Sequence, residues 1–508
     1  MRVDSVAPSN LIELMDRGRP SDGAATFART PEGRVMSYDD LAAVSSGMGQ
    51  VVTQRGVVPG DRVAVQVDKS LDALALHVAL LRIGAVQLPL NPAYTDAETA
   101  ALLADAEPSL VIRSARCAEL SGAWETLTLD ATGSGSLIEA MAKPPTRVDP
   151  PVVQLNADDP AAMLYTSGTT GRPKGAVLTH GNLVHNAGTL AREWGFTPTD
   201  SLLHVLPLFH THGLFVAVHC VLASGCSMTV LPRFDVESVL AELSGSTVLM
   251  GVPTHYGRLL EDPRFDARTA GHVRVFISGS APMSTSVHAA FTARLGTTVL
   301  ERYGMTETSM LTSNPLIGVR KPGTVGLPLP DVGVRVVDDA EELLAPGEAG
   351  AVEVHGPNVF HGYWRRPDLQ ATEFTSDGWF RTGDLGRFDS DGYLQLVGRS
   401  KDLIISGGMN VYPSEVESVL DAIDGVFESA VVGLADPDLG EAVTAVVVMD
   451  PMQRTDEQSV RSACRARLAG FKLPRKVVFL DELPRNAMGK VEKARLRDEL
   501  TGLDGVGE

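Results

Sequence analysis

Short runs rich in β-branched and apolar residues, RVAVQV (62–67), SLVIRS (109–114), STVLMGVP (246–253) and VRVFISGSAP (273–282), alternate with alanine- and leucine-rich helical patterns such as LDALALHVALLRIGA (71–85). A strand that is apolar at nearly every position is buried on both faces, and parallel neighbours need a crossover that is usually a helix. The alternation therefore predicts parallel sheets covered by helices, an α/β class. After Asn314 the texture changes to short strands separated by Gly, Pro and Asp, as in VGVRVVDD, GAVEVHGP and GYLQLVG, which predicts a small antiparallel unit. From Lys401 a further alternation of helix (PSEVESVLDAI), strands (ESAVVGL, AVTAVVVM), helix (EQSVRSACRARLAG) and strand (KVVFL) predicts a compact α+β module with its own core. A chain of 508 residues exceeds one ordinary core, so the expected division is 1–398, a joint at 399–402, and 403–508.

Hydrophobic residues at 44% and charged residues at 21% place the chain among globular proteins and exclude disordered, collagenous and coiled-coil classes. The formal net charge of -19 argues against a general nucleic-acid binder, because Lys and Arg neutralising phosphates supply most of that affinity. Basic charge is concentrated between Arg465 and Arg497, with ten Lys/Arg against Asp481, Glu482 and Glu492. That run reads either as a solvated face or as a site for polyphosphate or CoA phosphates. Cys117, Cys220, Cys226 and Cys464 are scattered, suggesting neither a disulfide framework nor a zinc cluster and fitting a reducing cytoplasm. The opening segment lacks the apolar run of a signal peptide. Val205 to Pro232 is long and uncharged enough to imitate a membrane span, but Pro207 and its three histidines predict buried strand, loop and helix instead, so no membrane association is expected.

The strongest chemical signal is Tyr165-Thr166-Ser167-Gly168-Thr169-Thr170-Gly171-Arg172-Pro173-Lys174-Gly175, directly after an apolar strand pattern. Glycines allow close backbone approach, hydroxyls and amides donate to phosphate oxygens, and Lys174 adds positive charge. The direct inference is a phosphate loop, though not of the G-x-x-x-x-G-K-[ST] kind, because the glycines and lysine fall at other spacings. The segment resembles the signature of the adenylate-forming superfamily, which includes acyl-CoA synthetases, peptide-synthetase adenylation domains and firefly luciferase. Further motifs follow in that family's order, so the resemblance runs from about Met36 to Arg497.

Tyr303-Gly304-Met305-Thr306-Glu307 is similar to the family's Y-G-x-T-E segment, which implies Thr306 as a phosphate contact and Glu307 as a Mg²⁺ ligand. Phe380-Arg381-Thr382-Gly383-Asp384 implies that Asp384 accepts from the two ribose hydroxyls. Arg399, in Gly398-Arg399-Ser400-Lys401-Asp402, is implied to contact the nucleotide, and Lys401 to occupy the hinge, where some members carry Asp and Lys is also familiar. Pro484-Arg485-Asn486-Ala487-Met488-Gly489-Lys490 resembles the P-R/K-x-x-x-G-K ending, making Lys490 the expected adenylation lysine. Gly408, in Ser406-Gly407-Gly408-Met409-Asn410, is the expected neighbour of the incoming pantetheine. The resemblance implies ATP, Mg²⁺ and CoA as cofactors and co-substrates. It also implies a large domain of two stacked α/β sheet subdomains plus a small β-barrel-like unit, followed by a small mobile α+β lid.

Pocket walls in the family come from the segments around His210, Gly279-Ser280-Ala281-Pro282 and Tyr303, so His210, Ser280 and Met305 are the expected substrate contacts. His210 and His212, two apart, also raise a metal reading, for which no third ligand is evident. Arg302 stands where relatives carry a small residue. A cation at that edge costs several kcal/mol of desolvation unless paired, so a second carboxylate on the substrate is one reading and pairing with Glu301 or Glu307 the other. Arg233 is a weaker candidate. The wording of these segments looks like the malonyl-CoA synthetase group, implying malonate, and also methylmalonate, as substrate. The competing readings are a medium-chain or aromatic acid ligase, and a stand-alone module that loads a carrier protein.

Overall fold

A computed structural model describes residues 8–117, 124–141, 153–166, 173–407, 409–450, 455–486 and 490–504. The alternating first part of the chain forms two sheets. One has six strands, ordered Thr126–Thr128, Leu110–Arg113, Arg62–Gln66, Val86–Pro89, Pro160–Thr166 and Lys174–Thr179, parallel except for the last pair. The other has nine, ordered Leu327–Pro328, Ser309–Ser313, Leu300–Met305, Val275–Ser278, Val248–Gly251, Ser201–His204, Ser227–Val230, Thr26–Arg29 and Val35–Ser37. Its centre is parallel and both edges are antiparallel. The helix Leu71–Arg82 shows why the apolar patterns were continuous: every residue from Leu71 to Leu81 is buried, so no polar face was needed.

The antiparallel unit is a four-stranded sheet, Gly333–Val337, Gly350–His355, Phe380–Phe388 and Leu394–Arg399, whose path stays open rather than closing into a barrel. Residues 205–232 form no long helix. They divide into a π-helical turn His212–Val218, a helix His219–Ser224 and the strand Ser227–Val230, and no described helix is long and apolar enough to cross a membrane.

Beyond residue 402 lies a five-stranded sheet of Met409–Val411, Ile404–Ser406, Gly440–Met449, Val426–Asp436 and Lys476–Leu480. Its faces hold two apolar clusters, one around Val416, Val431 and Val460 and the other around Val432, Val446 and Leu496, both separate from the core of the rest of the chain. Much of the basic run is paired within this unit. Lys472 meets Glu415 at 2.5 Å, Lys493 meets Glu417 at 2.6 Å, Arg495 meets Glu499 at 2.7 Å, and Arg485 and Arg497 contact Glu428 and Asp402. Arg465 and Arg467 stay exposed on the last turn of the helix Glu457–Arg467. Ser414 donates to the Val397 carbonyl across the expected joint.

Candidate active site

Parallel sheets gather ligand-binding groups beyond the carboxyl ends of their strands. Here the ends of four adjacent strands deliver His204, the turn into His255, Gly279-Ser280, and Arg302. Opposite them the six-stranded sheet brings Thr166 and Lys174, paired in register at the mouth of the segment 167–172. Ser167, Gly168, Thr169, Thr170 and Gly171 lie outside the described residues, as does Gly408.

Asp384 faces Arg399 across the antiparallel ladder, with Arg399 Nε 2.6 Å from its Oδ1. The Tyr303 hydroxyl donates to Oδ2. Burial to 5% exposure raises the carboxyl pKa, while Arg399 and Tyr303 oppose that rise. Glu307, 4% exposed, accepts from Thr166 Oγ1 at 3.1 Å and from the Tyr363 hydroxyl at 3.0 Å, both on Oε1. Its pKa too is raised by burial. Lys174 departs from expectation. Its ammonium is 2.7 Å from Glu373 Oε1 and 5.1 Å above the Tyr363 ring, committed to a carboxylate rather than facing open space.

The third group is a cluster of buried polar side chains. Arg302 is 3% exposed, and its Nε and Nη2 are buried without a hydrogen-bond partner. Glu301 is not its partner, being held by His288 Nε2 at 2.8 Å and the Met283 amide at 3.3 Å. Glu307 is engaged by Thr166 and Tyr363. Burial lowers the guanidinium pKa to about 9. Gly279 makes room for it, since a Cβ there would lie 2.4 Å from Arg302 Cζ. Ser280 follows with φ 71°, a left-handed conformation costly for a side-chain-bearing residue, and its hydroxyl lies 3.3 Å from His212 Nδ1. His212 Nε2 and Ser278 Oγ are likewise buried and unpartnered. His210 is pushed down to about 3 by burial, then by Lys490 and Arg302. Among the described residues no cluster of three His, Cys, Asp or Glu could hold a metal ion, so the paired histidines have no third ligand there.

Lys490 comes from the small domain into this space. The residue as a whole is exposed, yet its ammonium feels Arg399, Asp384, Arg302 and Glu307, and burial followed by Arg399 lowers its pKa. Two hydrogen bonds tie it to Asn486: Asn486 N donates to Lys490 O at 2.9 Å, and Lys490 N to Asn486 Oδ1 at 3.1 Å. Lys401 sits exposed in the 3-10 turn Ser400–Asp402, close enough to influence Asp384. Met305 and Thr306 border the site half-buried, at the end of the strand that carries Tyr303 and Gly304. Arg233 is exposed, and its described influence is on Asp235 rather than on the pocket. Tyr363 and Glu373 were missed by the motif reading because they act through side-chain reach across sheets. His255 gave no sequence signal at all.

Two sheets converging on buried carboxylates, with a lysine entering from a second domain, define a ligase that activates a carboxylic acid with ATP. The chain belongs to the AMP-binding enzyme family, whose model matches residues 16–364, with the AMP-binding enzyme C-terminal domain matching 415–490. It is an ATP-dependent acyl-CoA synthetase, joining a carboxylic acid to CoA by way of an acyl-adenylate. The ATP-bound crystal structure of MatB from Rhodopseudomonas palustris is 47% identical, with a TM-score of 0.93, over 97% of this chain and 99% of that one. The apo crystal structure of MatB aligns less closely, at a TM-score of 0.83. A feruloyl-CoA synthase of an Amycolatopsis species is 36% identical over 92% of this chain and 94% of its own length. A malonate–CoA ligase of Arabidopsis thaliana is 35% identical over 88% of this chain and 79% of its own length.

Proposed function

We propose that the protein forms malonyl-CoA, and also methylmalonyl-CoA, from the dicarboxylate, ATP and CoA, releasing AMP and pyrophosphate. The observation that carries this reading is Arg302, a buried guanidinium without an acidic partner among the described residues. Such a charge is costly in the empty protein and is compensated by a second carboxylate on the substrate. A long aliphatic chain entering the same pocket would meet a cation with bare methylene. The Arabidopsis relative named for malonate supports the choice, while the feruloyl relative makes an aromatic acid the competing class.

In this reading the substrate's reacting carboxylate lies beside His210, whose neutral ring can donate without repelling a cation. The carboxylate oxygen attacks the α-phosphorus and pyrophosphate leaves, a transfer that needs positioning and charge neutralisation more than covalent catalysis. Lys490 supplies a positive charge at the oxygens gathering negative charge. Asp384, oriented by Tyr303 and Arg399, accepts from the ribose hydroxyls, and Thr306 with the 166–174 segment meets phosphate oxygens. Glu307 fits a hard cation: it is buried, has no Lys or Arg in ion-pair contact among the described residues, and both hydroxyl donors sit on Oε1, leaving Oε2 available. Bound there, Mg²⁺ would neutralise phosphate charge.

The CoA sulfur then attacks the acyl carbon and AMP departs. Lys490 must withdraw to admit the thiol, so residues 403–508 rotate about a hinge at 399–402, breaking the Ser414–Val397 contact. The higher TM-score with ATP-bound than with apo MatB supports reading the present arrangement as the one for adenylation. The test is AMP release with ATP, Mg²⁺ and CoA against malonate, methylmalonate, succinate, acetate, octanoate, benzoate and ferulate. Selective turnover of malonate and methylmalonate is expected; preference for octanoate, benzoate or ferulate would overturn the dicarboxylate assignment while leaving the ligase class intact.

A further inference from the structure

Lys490 stands in a stretch with little regular structure, and the residues on either side of it are held to the rest of the small domain by side chains. Arg485 and Val491 pair as an isolated antiparallel bridge, and Glu492 N donates to Pro484 O at 2.9 Å. These bonds join the residues before Lys490 to those after it without fixing either against the sheet. Two ion pairs do that. Arg485 contacts Glu428, near the start of the strand Val426–Asp436, and Lys493, the first residue of the helix Lys493–Asp504, lies 2.6 Å from Glu417 Oε1. The same Glu417 oxygen accepts from the Val431 amide at 2.8 Å, which holds the carboxylate against that strand. The exposures of the four side chains are 28% and 24% for Arg485 and Glu428, 20% and 19% for Lys493 and Glu417. Pairs this open to water contribute little to folding, so their placement is better explained by the lysine they flank.

Glu417 belongs to the helix Pro413–Leu420, which buries Val416 and Leu420 in the core of the small domain. Ser414 and Glu417 are three residues apart and so are neighbours on one side of that helix. Ser414 donates to the Val397 carbonyl of the large domain, and two residues beyond Val397 the Arg399 guanidinium meets Asp384 at 2.6 Å. One short helix therefore touches, in its first turn, the strand that leads to Asp384 and holds, one turn later, the residue three beyond Lys490. Docking of the small domain and placement of Lys490 are joined through this one rigid element.

We propose that Glu417 and Glu428 are positioning residues for the adenylation half-reaction: by gripping Lys493 and Arg485 they hold Lys490 at a fixed reach toward the nucleotide while Ser414 is seated on Val397. This rests on the reading of Lys490 as the adenylation lysine and deepens it. Neither carboxylate touches a substrate; each acts through the residues that flank Lys490. The transfer to CoA, during which Lys490 has withdrawn, makes no use of the two pairs.

The experiment uses the full chain and whichever acid the wild type turns over best, and follows the two half-reactions separately in single turnovers: pyrophosphate release from ATP and acid, and CoA ester formation from presynthesised acyl-adenylate. The variant Glu417→Gln/Glu428→Gln is expected to adenylate roughly tenfold or more slowly, the scale on which small misplacements of a reacting group act, with KM for ATP and acid little changed and the transfer to CoA at the wild-type rate. Exchanging the charges of one pair, Glu428→Arg with Arg485→Glu, is expected to recover much of the rate that Glu428→Gln loses. In a Lys490→Ala background the two Gln substitutions are expected to cost nothing further, because residues that act through one group are not additive with its removal. Equal slowing of both half-reactions, unchanged adenylation, or a further loss in the Lys490→Ala background would make the pairs ordinary surface contacts and overturn the proposal. A Lys490→Ala enzyme that still adenylates at the wild-type rate overturns the reading of Lys490, and this inference with it. Should the double Gln variant fail to fold, the two single variants are read by the same criteria.

Discussion

Replacing Arg302 by Met should trade activity for stability, and the size of each side follows from its burial. The guanidinium is 3% exposed, and its pKa falls from the usual arginine range to about 9, burial being the main cause. A folded-state value below the unfolded one means that the charged form is penalised by folding. The penalty is present in full at every pH below about 9 and fades as pH rises from there toward the usual arginine range. At neutral pH it corresponds to about 5 kcal/mol. Methionine fills only part of the space beside Gly279, so the expected net gain is smaller, about 1–3 kcal/mol, read as a rise of a few degrees in Tm at pH 7.5. Malonate should lose its charge partner, lowering kcat/KM roughly 100-fold or more while propionate turnover falls far less. Saturating malonate with a non-hydrolysable ATP analogue should raise the Tm of wild type but not of Arg302→Met. A variant that melts several degrees lower and still turns over malonate would show that Arg302 is a structural residue with an unrecognised partner, and would refute the reasoning.

Other outcomes follow from the same geometry. Lys490→Ala should lose adenylation by roughly 100-fold or more yet still convert presynthesised acyl-adenylate and CoA; rapid-quench assays of each half-reaction check this, and equal losses would contradict the division between them. Tyr363→Phe removes one hydroxyl from Glu307 Oε1, so the KM for Mg·ATP should rise about tenfold with the carboxylate KM little changed, measured at varied Mg²⁺. Asp421 is pushed up to about 7 by burial, with Glu417 and Glu428 adding to the rise against the Ser429 hydrogen bond. The folded state therefore holds that proton more tightly than the unfolded chain, and wild type loses stability as pH climbs from about 4 to 7. Asp421→Asn should melt higher than wild type at pH 8 and not at pH 4.5; identical pH profiles would rule this out. Glu373→Gln releases Lys174 from its 2.7 Å ion pair and should tighten ATP binding a few-fold by calorimetry; weaker binding would mean that Glu373 positions the lysine productively.

Local chemistry written into consecutive residues was legible without coordinates. The alternation of apolar runs with Ala/Leu helices announced parallel sheets covered by helices, because burial on both faces leaves a contiguous trace. Thr166, Tyr303, Glu307, Asp384, Arg399 and Lys490 were each named from short motifs, since a phosphate or ribose contact demands particular residue types at fixed spacing. What the chain could not reveal was pairing across space. Glu301, adjacent to Arg302, was a candidate partner until folding turned it to His288, because successive residues of a strand face opposite sides. Lys174 belongs by motif to a phosphate loop, yet its ammonium lies on Glu373, 199 residues away. The basic run near the C-terminus read either as a solvated face or as an anionic-ligand site until ion pairs accounted for much of it. Whether a charge is spent on a neighbour or held for a ligand depends on which sheets meet and how deeply they exclude water, and sequence distance carries no record of either.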